Sequence, residues 1–155
     1  MSDPVNMVLF VNELSRRPKA RAAVVLTHEY KGQKEWAEEL SRQTDTEHIN
    51  LIDLFTKEPE LGSKIGQFSV QHLFDYLKNK SQAPVLIISG MEFLKATWIS
   101  QPKAAQEFAS RVQTWNQSPC LLFILQYDKL IATYDFGNRY RQYTFVVDQR
   151  ETLAL

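Results

Sequence analysis

The residues whose types and spacing could do chemistry lie between Thr27 and Lys34. A phosphate-cradling loop reads G-x-x-x-x-G-K-[ST]. Its backbone N–H groups and lysine surround the phosphates, and its hydroxyl holds magnesium. Laid on that pattern, the chain has Thr27 for the first glycine, keeps the second as Gly32, and has Gln33 for the lysine and Lys34 for the hydroxyl residue. Glu29 adds a carboxylate to the same loop. At about 4 Å a phosphate charge is repelled from it by roughly 4 kcal/mol at an effective dielectric of about 20. The layout is that of a phosphate loop without the groups that do its chemistry. Lys31 and Lys34 are the substitute cations within it, and the residues leave open whether Thr27, Gly32, Gln33 and Lys34 hold any cofactor; none is expected.

Other chemistries have less support. The apolar run Pro84–Ile88 ends in Ser89-Gly90, where a nucleotidase would carry a magnesium-binding aspartate. Glu92, three residues past Ser89, reads as an acid on the surface or at a helix start. Gln126 ends the run Pro119–Leu125, where a polar residue often senses a terminal phosphate. His28, His48 and His72 lie on different elements without metal-ligand spacing, so no metal site is expected. Asp53, Asp128, Asp135 and Asp148 occur singly. Ser89-Gly90 lacks the G-x-S-x-G setting of a hydrolase elbow. These patterns give no catalytic residue and favour a protein that is not an enzyme.

The elements that must position these residues follow from periodicity. Ala22–Leu26 is a short β-branched run, as expected for a strand covered on both faces. Trp36, Ala37 and Leu40 form one stripe of a helix over 34–42. An N-terminal helix begins at Ser2-Asp3-Pro4, carries Met7, Phe10, Val11 and Leu14 on one face, and ends at Pro18. His48–Phe55 reads as a second strand and 56–67 as a loop. Ser69 caps a helix with Val70, Leu73, Phe74 and Leu77. Pro84–Ile88 is a third strand, 101–115 a helix, Pro119–Leu125 a fourth strand and Gln142–Val147 a fifth. This alternation predicts an α/β fold: a three-layer sandwich with a mostly parallel five-stranded sheet and an N-terminal helix, whose ligand face lies beyond the carboxyl ends of the strands.

Length fits one domain, residues 1–155, divided into helix and basic linker (1–21), core (22–148) and tail (149–155). Lys+Arg and Asp+Glu are both 18, so no bulk charge draws the chain to nucleic acid or anionic membrane, while self-association is eased. Arg16, Arg17, Lys19 and Arg21 form a short basic cluster. It supports at most weak DNA contact and otherwise reads as a solvated linker. Cys120 is the single cysteine, which excludes a disulfide framework and fits a reducing compartment. No apolar run reaches the roughly 18 residues of a membrane span, and no signal peptide is evident, so a cytoplasmic protein is expected.

Four of the six tyrosines, Tyr127, Tyr134, Tyr140 and Tyr143, fall within 126–143, with Arg139 and Arg141 beside them. Tyrosine and arginine are enriched at interface hot spots, so Tyr134, Arg139, Tyr140, Arg141 and Tyr143 are the candidate partner-binding residues. A plain β-hairpin with half-buried tyrosines is the alternative. The core 22–148 resembles a P-loop NTPase fold of the additional-strand type. In its order of motifs it is similar to BrxF, the short P-loop protein of BREX phage-defence operons. Val85–Leu94 matches that family's strand segment, and Leu130–Tyr134 with Gly137–Tyr143 resembles its tyrosine-rich arm. The resemblance implies a component of an antiviral or DNA-processing assembly, with larger protein subunits as partners. The departures, Gln33 and Lys34 in the loop and Ser89-Gly90 for the acidic pair, argue against carrying ATP binding over with it. The expected function is a non-catalytic adaptor subunit. The alternatives are an ATPase or metal-dependent enzyme with an unorthodox site, and a DNA-binding module.

Overall fold

Alternation along the strands decides the layers. In the computed structural model, which describes residues 6–18, 20–27, 31–63, 68–97, 103–132 and 144–147, the strands are β1 (Ala22–Thr27), β2 (Glu47–Asn50), β3 (Val85–Ser89), β4 (Cys120–Gln126) and β5 (Thr144–Val147). They line up in the order β2-β3-β4-β1-β5, and every pairing is parallel. Successive side chains of a strand point to opposite faces. Ala22, Val24, Leu26, Leu86, Ile88, Leu121, Phe123 and Leu125 accordingly enter one core cluster. Ala23, Val25, Val85, Ile87, Leu122 and Ile124 enter the other. Both faces are apolar, so both must be covered by helices.

The first face is covered by α3 (Leu51–Lys57), α5 (Val70–Leu77) and α7 (Ala104–Thr114), through Leu51, Phe55, Leu73, Phe74, Phe108 and Val112 among others. The second is covered by α1 (Met7–Leu14) and α2 (Gln33–Thr44), through Met7, Val11, Leu14, Trp36, Ala37 and Leu40. The short helices α4 (Pro59–Gly62), α6 (Glu92–Thr97) and α8 (Lys129–Ala132) fill the connections. The chain thus forms an α/β sandwich of three layers. Among the described residues no helix is long and apolar enough to cross a membrane.

Several boundaries differ from the sequence reading, each for a local reason. The run His48–Phe55 is strand only to Asn50. Asn50 Oδ1 accepts from Asp53 N at 3.1 Å and caps α3, and Leu51 and Phe55 then bury at helical spacing. The segment expected as a loop over 56–67 contains α4. The cap of α1 is Asn6, whose side chain accepts from Leu9 N at 3.1 Å; the expected start at Ser2-Asp3-Pro4 lies outside the described residues. Ser69 does cap α5, with His72 returning the bond to complete a capping box. The tail 149–155 also lies outside the described residues.

A cluster of aromatic rings lies under α5 and α7. Phe123 sits 5.5 Å from Phe74 and 5.0 Å, edge to face, from Phe108, and Trp115 sits 5.7 Å from Phe74. Phe108→Ala is expected to cost about 3–5 kcal/mol in urea unfolding. Leu9→Ala, at an exposed position of α1, is expected to stay within about 0.5 kcal/mol. Equal effects of the two would contradict this packing.

Candidate functional site

A parallel sheet offers its ligand crevice where the connections of neighbouring strands leave to opposite faces. β1 is followed by α2 on the second face. β4, its neighbour, is followed by α8, whose Ile131 packs on the first face. The crevice beyond β1 and β4 is therefore the place to look, and the chain brings three distant segments together there.

Gln33 opens α2 behind Gly32, which has a φ of 83° that glycine tolerates. Its side chain turns inward and is 2 % exposed. The carboxamide oxygen accepts from Gly90 N at 3.2 Å, and its nitrogen donates to Glu92 Oε1 at 3.0 Å. Gln126 N also donates to Glu92 Oε1, at 3.2 Å. Glu92 Oε2 is buried and has no hydrogen-bond partner among the described residues. Glu92 does open a helix, as its position suggests, but its carboxylate folds back over the strand ends and is not a surface acid. Thr27, in the place of the loop's first glycine, is buried and donates from Oγ1 to Leu125 O at 3.3 Å. Tyr127 N donates to Thr27 O at 2.7 Å, extending the β1–β4 seam past the strands. The side chain of Gln126 is exposed, and its backbone N–H is the group that serves the site.

Lys34, a candidate substitute cation, points outward. It is paired with Asp53 of α3, which raises the lysine's pKa and lowers that of Asp53 by the hydrogen bond between them. Beside it, a shallow depression of about 470 Å³ is lined by Lys34, Glu35, Glu38 and Glu39, three acids to one cation. Lys95 is paired with Asp128 at 3.1 Å. Lys31 is exposed in the turn before Gly32. His28, Glu29 and Tyr30 lie outside the described residues, as do Tyr134, Arg139, Tyr140, Arg141 and Tyr143.

A second polar string lies one strand over. His48 on β2 is half-buried as a residue, with only 3 % of its side chain exposed. Its Nδ1 is 2.6 Å from Glu38 Oε2 and its Nε2 is 2.7 Å from Ser89 Oγ. With the Nδ1 proton donated to the carboxylate, Nε2 accepts the Ser89 hydroxyl. Asn50 Nδ2 donates to the same hydroxyl oxygen at 3.1 Å. The order nucleophile, base, acid is present, but Ser89 is fully buried, so no substrate carbonyl reaches Oγ in this form. What the string does is tie the short edge strand to β3 and to α2. Sequence reasoning missed it because the three residues are separated by ten and by 41 positions.

Two arginines of the basic cluster, Arg17 and Arg21, are engaged in their own neighbourhood. Arg17 pairs with Glu13 at 2.9 Å and donates to Ala20 O at 3.1 Å. Arg21 donates to Gln117 O at 3.2 Å and to Arg17 O. Cys120 is buried, and desolvation pushes its thiol pKa up, as suits an inert core group. No group of three potential metal ligands occurs among the described residues.

Gly90 is held in this site by two constraints. Its φ is 71°, and a Cβ there would lie 2.5 Å from Asn50 Nδ2. Gly90→Ala is expected to destabilise by about 1–3 kcal/mol, and to shift the amide resonances of Ser89 and Asp53 through the displaced Asn50. A neutral Gly90→Ala in thermal and urea unfolding would show that the crevice is looser than described.

Comparison with protein-family models, with curated proteins and with solved structures finds no significant match.

Proposed function

We propose that this protein is a non-catalytic adaptor, an α/β sandwich that uses a degenerate nucleotide crevice as a docking platform. The observation that carries the reading is the buried Gln33. A phosphate-loop lysine in that position presents a mobile charge, whereas Gln33 is neutral and has both ends of its amide engaged by Gly90 and Glu92. Lys34 is held away by Asp53, and the Glu92 carboxylate, which would repel a phosphate, lies at the strand ends on Gln33 and Gln126. The additional-strand P-loop fold is part of the same proposal. It is supported by β4, which lies between the loop-bearing β1 and β3. A BrxF-like place in a BREX-type defence or DNA-processing assembly, with larger subunits docking on the segment 126–143, rests on the sequence resemblance and goes with this reading.

Millimolar ATP with magnesium is expected to leave the melting temperature unchanged. A ligand at about 100 times its Kd stabilises by about 2.7 kcal/mol, a shift readily seen. A clear shift that disappears in Gly32→Ala would sink the adaptor reading and restore a nucleotide enzyme.

The enzyme alternative has one specific observation in its favour, the Glu38–His48–Ser89 string. A fluorophosphonate probe labels an activated, reachable serine. No labelling of Ser89 is expected on intact protein, because Oγ is enclosed. Labelling of Ser89 that is lost in His48→Ala would make the chain a hydrolase.

A further inference from the structure

Within the docking reading, we propose that Glu92 is the receptor for an arginine side chain of a protein partner, which enters the crevice by displacing the Gln33 carboxamide. A carboxylate has two oxygens and about four lone-pair sites. Here Oε1 takes two neutral N–H donors and Oε2, enclosed, takes none among the described residues. An enclosed carboxylate oxygen without a donor is costly, more so than a neutral group. Lys34 is paired with Asp53, Lys95 is paired with Asp128, and Lys31 is exposed in the turn, so none of the three donates to Oε2. Where a phosphate-binding relative presents a cation to an anionic ligand, this crevice presents an anion, and the ligand that complements it is a cation.

Guanidinium is the cation whose shape fits. Its planar fork places parallel N–H donors on both carboxylate oxygens at once, which a carboxamide bonded through one N–H and an ammonium do not. Displacing Gln33 exchanges one bond to Glu92 from a neutral donor for two from a cationic one, against the cost of leaving the Gly90 N–H without its acceptor. An enclosed acceptor also calls for a ligand with a long apolar stem, as arginine has.

The test is an amide NMR titration of the whole chain with acetyl-arginine-amide, following the backbone signals of Gly90 and Gln126 and the side-chain signals of Gln33. Saturating shifts are expected in the wild type. Glu92→Gln should weaken binding about tenfold to a hundredfold, the size of a charge-assisted bond. Gln33→Ala should tighten it, since the internal competitor is gone. Variants moving in opposite directions separate docking from general loss of structure, and Gln33→Ala carries the test if Glu92→Gln does not fold. Equal titration of Glu92→Gln and wild type would overturn the proposal, as would no tightening in Gln33→Ala. Saturation by acetyl-lysine-amide or by magnesium chloride as tight as by acetyl-arginine-amide would also overturn it, since either would dispense with the fork. A silent arginine titration alongside an unchanged melting temperature in ATP would remove the arginine receptor and leave the adaptor reading standing.

Discussion

The two hydrogen bonds of the Gln33 carboxamide set the character of the crevice. One residue at the start of α2 accepts from the backbone just past β3 and donates to the acid that opens α6. That acid in turn accepts from the last residue of β4. A lysine cannot take this role, because it has donors and no acceptor for the Gly90 N–H. A glutamate cannot take it either, because it has no donor for Glu92 when ionised. Only a side chain with both functions joins these elements, and a carboxamide of this length reaches them. The chemistry lost from the loop and the structure gained at the strand ends are the same substitution.

Asn50 has a comparable role one strand over. Its Oδ1 caps α3, its Nδ2 donates to Ser89, and its side chain occupies the space that a Cβ on Gly90 would need. This explains why β2 is only four residues long although the apolar sequence continues. The chain leaves the sheet as soon as a helix cap is available, and α3 then buries Leu51 and Phe55 on one helical face. The edge strand is secured by side chains, through His48 to Ser89 and Glu38, as much as by its ladder with β3.

What was legible in the sequence was whatever one element decides alone. The β-branched runs of Ala22–Leu26 and Val85–Ile88, the stripe of Trp36, Ala37 and Leu40, and the cap at Ser69 are local patterns, and each appears as a local structure. Asn50 was not legible as a boundary, since Ile49, Leu51, Ile52 and Leu54 fit an apolar strand as well as they fit a strand followed by a helix. Glu92 opens a helix as its position implies, and only the direction of its carboxylate was not legible. Its position at a helix start was visible, but whether a carboxylate there turns to solvent or back over the sheet depends on Gln33 and Gln126, which lie 59 and 34 positions away. The Glu38–His48–Ser89 string has no sequence signature at all, because it is made by the packing of α2 against the edge of the sheet.

These placements also explain why restoring one residue would not restore a phosphate site. A lysine put back at position 33 would find Glu92 where Gln33 now donates, and a cation paired with an enclosed carboxylate has no net charge left for a phosphate. Thr27 would still fill the seam beside Leu125, where the loop's first glycine leaves the backbone open. Lys34 would still be drawn to Asp53. The whole chain is neutral, with 18 charges of each sign, but neutrality is not uniform. Beside the crevice Lys34 and Lys95 are paired with aspartates of neighbouring segments, while Glu92 Oε2 has no donor among the described residues. The sign of the site is therefore set by the pairing of several residues together, and reversing it would require changing Gln33, Glu92 and the Lys34–Asp53 pair as a set.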